Sequence, residues 1–461
     1  MQVKQEIYFK ILQNQMLSKN NAASRQMGFY STFEEQLSRN HPLYILAHQI
    51  DWSVFEKAFA KHYADEGRPA KPIRLMVSLL MLKHIRNLSD ESVVEQWMEN
   101  VYYQYFSGEK MYACGAPCEA SELVHFRNRI GQEGIELIFK ESIRINGKDG
   151  QEEEATVDTT VQEKNITYPT DNKLHRKIIK KCVAIAEEEQ IELRQSYSRT
   201  IKKLGEQQRF RNHPKNHKRA RKADRKIKTI AGRLVRELER KLPAGKYAED
   251  LELYKKVLSQ KRNDTNKIYS LHEPHVQCIS KGKEHKKYEF GSKVSIITTK
   301  NTGVIIGALN IAKNDYDAHT VDPAFEQQQR LSCITLKRAF MDRGYRGINQ
   351  VRGTKIEIPK PFNKQLSNYQ RQQLKKGFRR RAAIEPKIGH LKQDHRLSRN
   401  FYKGIKGDNI NVMLAAAAMN FKRMMNIWKK MFLALVYRWL EILFQIFIEP
   451  IFISKKSKMS F

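Results

Sequence analysis

The stretch KYEFGSKVSIITTKNTGVIIGALNIA, residues 287–312, contains two runs rich in β-branched and aromatic residues on either side of the turn sequence NTG. Two such runs around a glycine-containing turn are typical of a β-hairpin. A helical pattern follows at 318–331, shorter strand patterns lie at 334–347 and 355–361, and a long helical region runs from about 365 to 425. This order of elements predicts an α/β fold with one central sheet.

A further β-branched run, EEATVDTTV at 153–161, precedes the hairpin and is separated from it by a polar segment at 173–262. Apolar residues in that segment recur at three- and four-residue steps, and RNHPKNH interrupts them, so we predict a helical hairpin that turns near Pro214. Within 198–241, seventeen Lys or Arg accompany four Asp or Glu. We interpret this surplus as a contact with the DNA backbone, the alternative being a solvated helix face.

Residues 44–107 have helical patterns throughout. In IRLMVSLLMLKHIRNLSDESVVEQWMEN, Ser89 can cap a second helix, and Asp90 and Glu91 suit the positive end of that helix. Two helices joined by a short turn in a basic protein indicate either a helix-turn-helix contact with DNA or a plain helical packing domain.

The composition favours a polyanionic partner. The 461 residues include 84 Lys and Arg against 50 Asp and Glu, a formal net charge of +34, and the charge is spread over most of the chain, which favours nucleic acid over a membrane surface. Five cysteines do not suit a secreted disulfide framework, and the spacing of Cys114 and Cys118 lacks the partners of a zinc site. With no signal-peptide pattern in MQVKQEIYFKILQNQ, we expect a cytoplasmic protein.

The apolar segment MFLALVYRWLEILFQIFIEPIFI, residues 431–453, is long enough to cross a bilayer. Arg438 and Glu441 lie in its middle, where charges are costly in a membrane. We therefore expect a helix packed against the body or against a partner chain, with a membrane anchor as the alternative.

Three carboxylates lie at positions that suggest a catalytic or metal-binding role. Asp158 interrupts an apolar strand, Asp342 ends another, and Glu385 stands in the basic stretch FRRRAAIEPKIGHLKQDHR, residues 378–396. Singly, Asp158 could pair with an arginine and Asp342 could bond within the turn before Gly344. Together, the three could converge at one end of the sheet and hold two divalent cations, such as magnesium, for an in-line phosphoryl displacement.

ATVDTTV, FMDRGYRG and RRRAAIEPKIGHLK resemble the three acidic motifs of bacterial insertion-sequence transposases of the DDE class. The third motif of that family is tyrosine, two residues, arginine, three residues, glutamate, six residues and lysine. Arg381, Glu385 and Lys392 fit this spacing, while Phe378 stands at the tyrosine position. The likeness covers roughly residues 40–425 and not the tail 431–461.

The resemblance implies an RNase H-like core, which is a mixed central β-sheet flanked by helices. It also implies that Asp158, Asp342 and Glu385 are catalytic and ligate Mg²⁺ or Mn²⁺. Around this core we expect an N-terminal all-helical domain and a basic helical insertion after the first core strand. The predicted divisions are an N-terminal extension (1–43), a helical N-terminal domain with a role at DNA ends (44–150), the catalytic core (151–172 and 263–425), the insertion (173–262) and an apolar tail (426–461).

DNA contacts are predicted around the third motif. The resemblance places Arg381 and Lys392 at DNA phosphates near the scissile bond, and the neighbouring cations Arg343, Arg380 and Lys387 are predicted to bind DNA as well. Lys392 follows Glu385 by seven residues, so the two lie about 20° apart around an ideal helix and can face one site. Pro386 indicates either that a helix starts there or that it kinks there.

The function implied is that of a DNA transposase, which binds the ends of an insertion sequence, hydrolyses a phosphodiester and transfers the strand to target DNA. Its partners would be double-stranded DNA, both transposon ends and target, and further copies of the chain in a homo-oligomer. We expect it at the nucleoid when bound to DNA and do not expect membrane association. The alternatives are a catalytically silent DNA-binding descendant and a metal-dependent nuclease that cuts without joining.

Overall fold

The computed structural model describes residues 32–63, 70–243, 245–261, 263–280, 286–359 and 367–447, with side chains to residue 442. The predicted N-terminal extension lies mostly outside the described residues, as does the end of the apolar tail.

Seven helices form the N-terminal part of the described chain. They are α1 (Phe33–Gln36), α2 (Pro42–Gln49), α3 (Trp52–Ala60), α4 (Ile73–Ile85), α5 (Asp90–Glu99), α6 (Val101–Phe106) and α7 (Ala120–Ile145).

Helix α4 is buried along its whole length after the first turn, because its sequence is apolar on every side. The predicted cap of α5 is confirmed, since the Ser89 side chain accepts a hydrogen bond from Ser92 N. Asp90, in the first turn of α5, pairs with the buried cations Lys83 and Arg127 at 2.7 and 3.0 Å. These contacts support the packing interpretation of the α4–α5 pair over a helix-turn-helix, whose second helix would need a free first turn to meet DNA.

The central sheet has eight strands. They are β1 (Glu154–Lys164), β2 (Gln277–Ser280), β3 (Tyr288–Thr299), β4 (Ile305–Ile311), β5 (Arg338–Phe340), β6 (Gln350–Val351), β7 (Thr354–Glu357) and β8 (Arg399–Asn400).

The sheet is mixed. Its order is β2-β3-β1-β5-β7-β6, with β4 also on β3 and β8 also on β1. β3 runs antiparallel to β1 and β4, whereas β5 and β7 run parallel to β1 and to each other. The hairpin predicted at 287–312 is confirmed as β3 and β4. A mixed sheet of this kind, flanked by helices, is consistent with an RNase H-like domain.

Four helices flank the sheet after β4. They are α12 (Val321–Ser332), α13 (Asn368–Arg381), α14 (Ile384–Asp394) and α15 (Gly404–Phe447). The apolar faces of α12, α14 and α15, the sheet and the N-terminal helices share one continuous hydrophobic core. The N-terminal helices pack on α15 and α12, and these two helices pack on β4 of the sheet.

Between β1 and β2 the chain forms four helices, where the sequence predicted a helical hairpin. They are α8 (Asp171–Glu188), α9 (Ser198–Gln207), α10 (Pro214–Lys241) and α11 (Ala248–Ser259). Pro214 is the first residue of α10, a position where its missing N–H costs nothing. These helices bury a second hydrophobic core of their own, centred on Ile178, Ile227 and Leu234.

A buried ion network joins the two ends of this insertion to α15. Lys164 Nζ, at the end of β1, lies 2.6 Å from Asp408 Oδ1 and 3.4 Å from Glu273 Oε2. His275 Nε2 lies 3.2 Å from the second oxygen of Asp408. The network therefore fixes where the insertion leaves the sheet and where it returns.

The apolar tail continues α15, so one helix crosses the division predicted at residue 426. Its described side chains from Met431 to Ile442 are exposed, so packing against the body is wrong for these residues, while packing against a partner chain stays a prediction. The reason is that α15 extends past the core after Trp428, and in the described part of the chain no buried residue of the core lies on α15 beyond it. No helix of the described residues combines the length and the apolar character needed to cross a membrane.

We predict that Gly291→Ala destabilises the sheet. A Cβ at Gly291 in β3 would lie 1.9 Å from the backbone oxygen of Gln162 in β1, so the two strands would have to separate. The expected loss is about 1–3 kcal/mol in the free energy of unfolding, measured by urea denaturation. Gly389→Ala is the control, because its Cβ would meet no atom within 4 Å. Equal stability of the two variants would contradict the prediction.

We predict that Lys164→Met destabilises the protein by about 3–5 kcal/mol, because it leaves the buried Asp408 and Glu273 without their cation. Lys337→Met is the matched control, since Lys337 pairs with Glu153 in solvent and such pairs contribute about 0–1 kcal/mol. The measurement is the urea midpoint of both variants. A Lys164→Met midpoint equal to that of the control would show that the network contributes nothing to stability.

Candidate active site

Asp158 and Asp342 are neighbours in the sheet. The parallel register of β1 and β5 pairs Ala155 with Ala339 and Thr156 with Phe340. Continued for two residues, it sets Asp158 beside Asp342. Because adjacent parallel positions project to the same face, the register brings the two predicted carboxylates together.

Each of these carboxylates accepts a backbone hydrogen bond from a residue just after it. Thr159 N donates to Asp158 Oδ1 and Gly344 N donates to Asp342 Oδ1, both at 2.8 Å. The second bond is the turn contact weighed from the sequence, so Asp342 also caps the short 3₁₀ turn at Arg343–Tyr345. These two bonds hold one oxygen of each carboxylate in a fixed orientation.

A fourth acid, Asp317, lies in the same place and was not predicted. Its Oδ1 accepts from Thr159 Oγ1 at 3.1 Å and pairs with Lys293 Nζ at 2.9 Å. A Cβ built on Gly344 would lie 2.9 Å from Asp342 Oδ1 and 3.3 Å from Asp317 Oδ2, so the two oxygens approach one point. The sequence signal was NDYDAHT, in which two acids follow a predicted strand directly.

Tyr345 lies beneath these acids. It is only 1% exposed, and its hydroxyl makes no hydrogen bond of good geometry with any described residue. Burial raises the pKa of Tyr345 well above its ordinary value, and the negative charges of Asp158 and Asp317 raise it further. The hydroxyl therefore stays protonated and can donate toward the carboxylates.

Glu385 does not join this group. Among the described residues, no three His, Cys, Asp or Glu side chains lie close enough to hold a metal ion together, so the expected convergence of three carboxylates is not found. The reason is local. Helix α13 ends at Arg381 and α14 begins at Ile384, which leaves Glu385 in the first turn of α14 with 67% of its side chain exposed.

The same break settles the alternatives for Pro386. It lies in the first turn of α14, where no helical N–H partner is required, so a helix starts there. Arg381 stays near Glu385 across the break, with Arg381 Nη2 at 4.0 Å from Glu385 Oε1. This is a loose, solvent-facing pair, so it holds the glutamate only weakly.

Phe378, at the tyrosine position of the family motif, packs on the sheet. Its ring meets that of Phe340 in β5 edge to face, with centroids 5.6 Å apart. Gly377 lies against the same Phe340 ring. Phe378 therefore docks α13 onto the strand that leads to Asp342.

The predicted DNA-binding residues separate into two sets. Arg343 and Arg380 are exposed, and Arg381 and Lys392 are half-buried. Lys387 instead points away from Glu385, and its ammonium donates to the backbone oxygen of Gly303. Burial and the charge of Arg423 lower the pKa of Lys387 to about 8.

The donor set has the chemistry of a magnesium site. Asp158, Asp342 and Asp317 offer carboxylate oxygens, the hard ligands that Mg²⁺ takes in proteins. Two of these carboxylates already approach one point beside Gly344. The residues present therefore have the chemistry of a divalent-cation site, but the described side chains do not bring three such ligands together, and Asp317 is already paired with Lys293.

Two protein families match the chain. The family described as Transposase domain (DUF772) matches residues 31–129, and the Transposase DDE domain matches residues 264–421, which include Asp342 and Glu385. Asp158 lies outside both matched segments. No solved structure matches the chain significantly.

The chain is also similar to the uncharacterized protein ORF8 in the nfe locus of Rhizobium meliloti. The two are 44% identical over 163 residues, which cover 34% of this chain and 79% of that protein. The matched families, the mixed sheet and the paired carboxylates agree with one another. The chain belongs to the insertion-sequence transposases of the DDE class.

Proposed function

We propose that this transposase binds the ends of its element, hydrolyses a phosphodiester there, and joins the freed 3′-hydroxyl to target DNA. The observation that supports the proposal is the register of the two central strands β1 and β5, which, continued for two residues, aligns Asp158 with Asp342. Two adjacent carboxylates, each held by a backbone donor, would offer a cation a preformed set of oxygens.

Different residues of the chain would bind the metal and the DNA phosphate. Asp158, Asp342 and Glu385 would hold the divalent metal, with Mg²⁺ as the first candidate and Mn²⁺ as the second. When bound, such ions activate the attacking oxygen and stabilise the leaving one. Arg381 and Lys392 would hold the phosphate near the scissile bond, because each presents N–H donors on the helices that flank Glu385.

Glu385 would complete the site by rotating its exposed side chain toward the sheet. This movement would break little, since 67% of the Glu385 side chain is exposed and its pair with Arg381 is 4.0 Å long. Its position in the first turn of α14 leaves the helix intact when the side chain moves.

The DNA would also contact the insertion at residues 173–262. Helix α10 presents its apolar residues to the second core and exposes its cations to solvent. The exposed cations in its first half are Lys215, Lys218, Arg219, Arg221, Lys222, Arg225 and Lys226. Cations spaced this closely suit the phosphate backbone of DNA, and their binding to the phosphates would release counterions from the DNA.

We propose that the active form is a homo-oligomer that acts on the bacterial nucleoid, because two element ends must be held together for joint transfer. A nuclease that cuts without joining is the second candidate, since hydrolysis and strand transfer can use the same carboxylates.

We predict that Asp342→Asn lowers both cleavage and strand transfer by roughly 10²–10⁴-fold, because it removes one charged ligand of the metal. Asp158→Asn should do the same. The measurement uses labelled candidate element ends, target plasmid and Mg²⁺ or Mn²⁺. Asp322→Asn is the control, because Asp322 pairs with Arg352 on the surface. Unchanged activity in Asp342→Asn would refute the proposed site, and cleavage without joining by the wild type would favour the nuclease.

We predict that Asp317→Asn lowers activity less than Asp342→Asn does, by roughly 10–100-fold, because Asp317 positions Thr159 and Lys293 around the carboxylates. The concentration of metal needed for half-maximal activity should rise, while the urea midpoint should stay close to that of the wild type. Glu326→Gln is the control, because it also removes one carboxylate charge but in a surface pair with Arg352. A lower activity with unchanged metal dependence would contradict a positioning role.

A further inference from the structure

A cluster of cationic side chains lies on the opposite side of α14 from Glu385. A cavity of about 790 Å³ opens there between the end of α4, the β3–β4 turn, α14 and α15. Five cations line it, namely Arg86, Lys387, Lys422, Arg423 and Lys430. Asp394 is the one acidic side chain among its described lining residues.

Part of this charge is already balanced. Arg423 pairs with Asp149 at 2.6 Å and donates to Asn146 Oδ1 at 2.7 Å. Asp394 lies 2.8 Å from His390 Nδ1, so its carboxylate is shared with that imidazole. Arg86, Lys387, Lys422 and Lys430 remain as the surplus, facing a single carboxylate.

The surplus cations keep donors available. The Lys387 ammonium donates to the backbone oxygen of Gly303, which uses one of its three N–H groups. Arg86 lines the same cavity, and its guanidinium carbon lies 6.0 Å from the centroid of the Tyr103 ring. Burial, followed by the charge of Arg86, lowers the pKa of Lys422, which shows that these cations are crowded together.

The geometry points to a binding site for a phosphate group of a DNA strand, and we propose that the cavity holds one next to Arg86, Lys387 and Lys422. A phosphate would accept the free donors and offset the repulsion among the cations. The cavity is larger than one phosphate requires, and the exposed Lys430 and His390 lie at its rim, so a chain of phosphates suits it better than a free ion.

The proposal rests on the proposed action on DNA and adds a second contact to it. Lys387 lies two residues after Glu385, about 200° around an ideal helix. Helix α14 therefore presents the Glu385 carboxylate on one side and Lys387, one of the cavity cations, on the other. A DNA strand bound in the cavity would contact α14 on the side opposite Glu385 and so help to hold Glu385 in position.

The test compares Lys422→Met with the wild type, both carrying Asp342→Asn so that bound duplex stays uncut. Fluorescence anisotropy with a labelled element-end duplex is recorded over a series of salt concentrations. We expect several-fold weaker binding and a slope of log affinity against log salt that is shallower by about 0.9, the effect of one lost phosphate contact. Arg86→Met should behave alike, and Lys422→Arg should restore binding.

Lys337→Met is the matched control, because Lys337 lies at the opposite end of β5 from Asp342 and pairs with Glu153. A Lys422→Met protein with the affinity and salt slope of the wild type would overturn the cavity site and leave the transposase proposal standing. A wild type that binds no duplex would overturn the proposed function itself.

A separate experiment distinguishes binding of a DNA phosphate from binding of a free phosphate ion. Inorganic phosphate is added at constant ionic strength and the thermal midpoint is followed. Saturable stabilisation of the wild type that is lost in Lys422→Met, without any change in the salt slope for duplex DNA, would overturn the DNA assignment in favour of a phosphate ion.

Discussion

The parallel pairing of β5 with β1 is the constraint on which the site depends. β5 has only three residues, so its position is set by β1, which is itself held along nine residue pairs by β3. A slip of one residue between β1 and β5 would turn Asp342 to the other face of the sheet. Two adjacent carboxylates repel each other, and the fold offsets this with a backbone donor to each and with Lys293 beside Asp317.

Helix α14 has a different task, because it carries groups of opposite charge on its two sides. Its separation from α13 at Ala382 and Ala383 places Glu385 in a first turn, where the positive end of the helix favours a carboxylate. The same separation frees Lys387 to lie over Gly303 instead of beside Glu385. Because of this break, one short helix would contribute Glu385 to the carboxylate site and Lys387 to the cavity on its other side.

The sequence predicted the elements that periodicity defines and missed what depends on contacts between distant segments. The β3–β4 hairpin and the cap at Ser89 follow from local patterns, and both are confirmed. Asp317 was missed because its position beside Asp342 depends on how the turn after β4 folds back on the sheet. The contact of Lys387 with Gly303 was not predicted, because the sequence does not say which face of α14 packs inward.

The buried network at Lys164 gives the insertion a fixed place relative to this site. Lys164 ends the strand that carries Asp158, Glu273 and His275 lie just before β2, and Asp408 begins α15. The insertion has its own hydrophobic core, so its internal packing does not determine its orientation on the sheet. The ion pairs at its two ends do so instead, and they are buried, so salt screens them little. DNA held by the insertion would thus lie in a defined position with respect to Asp158, even at ionic strengths that weaken its grip on the phosphates.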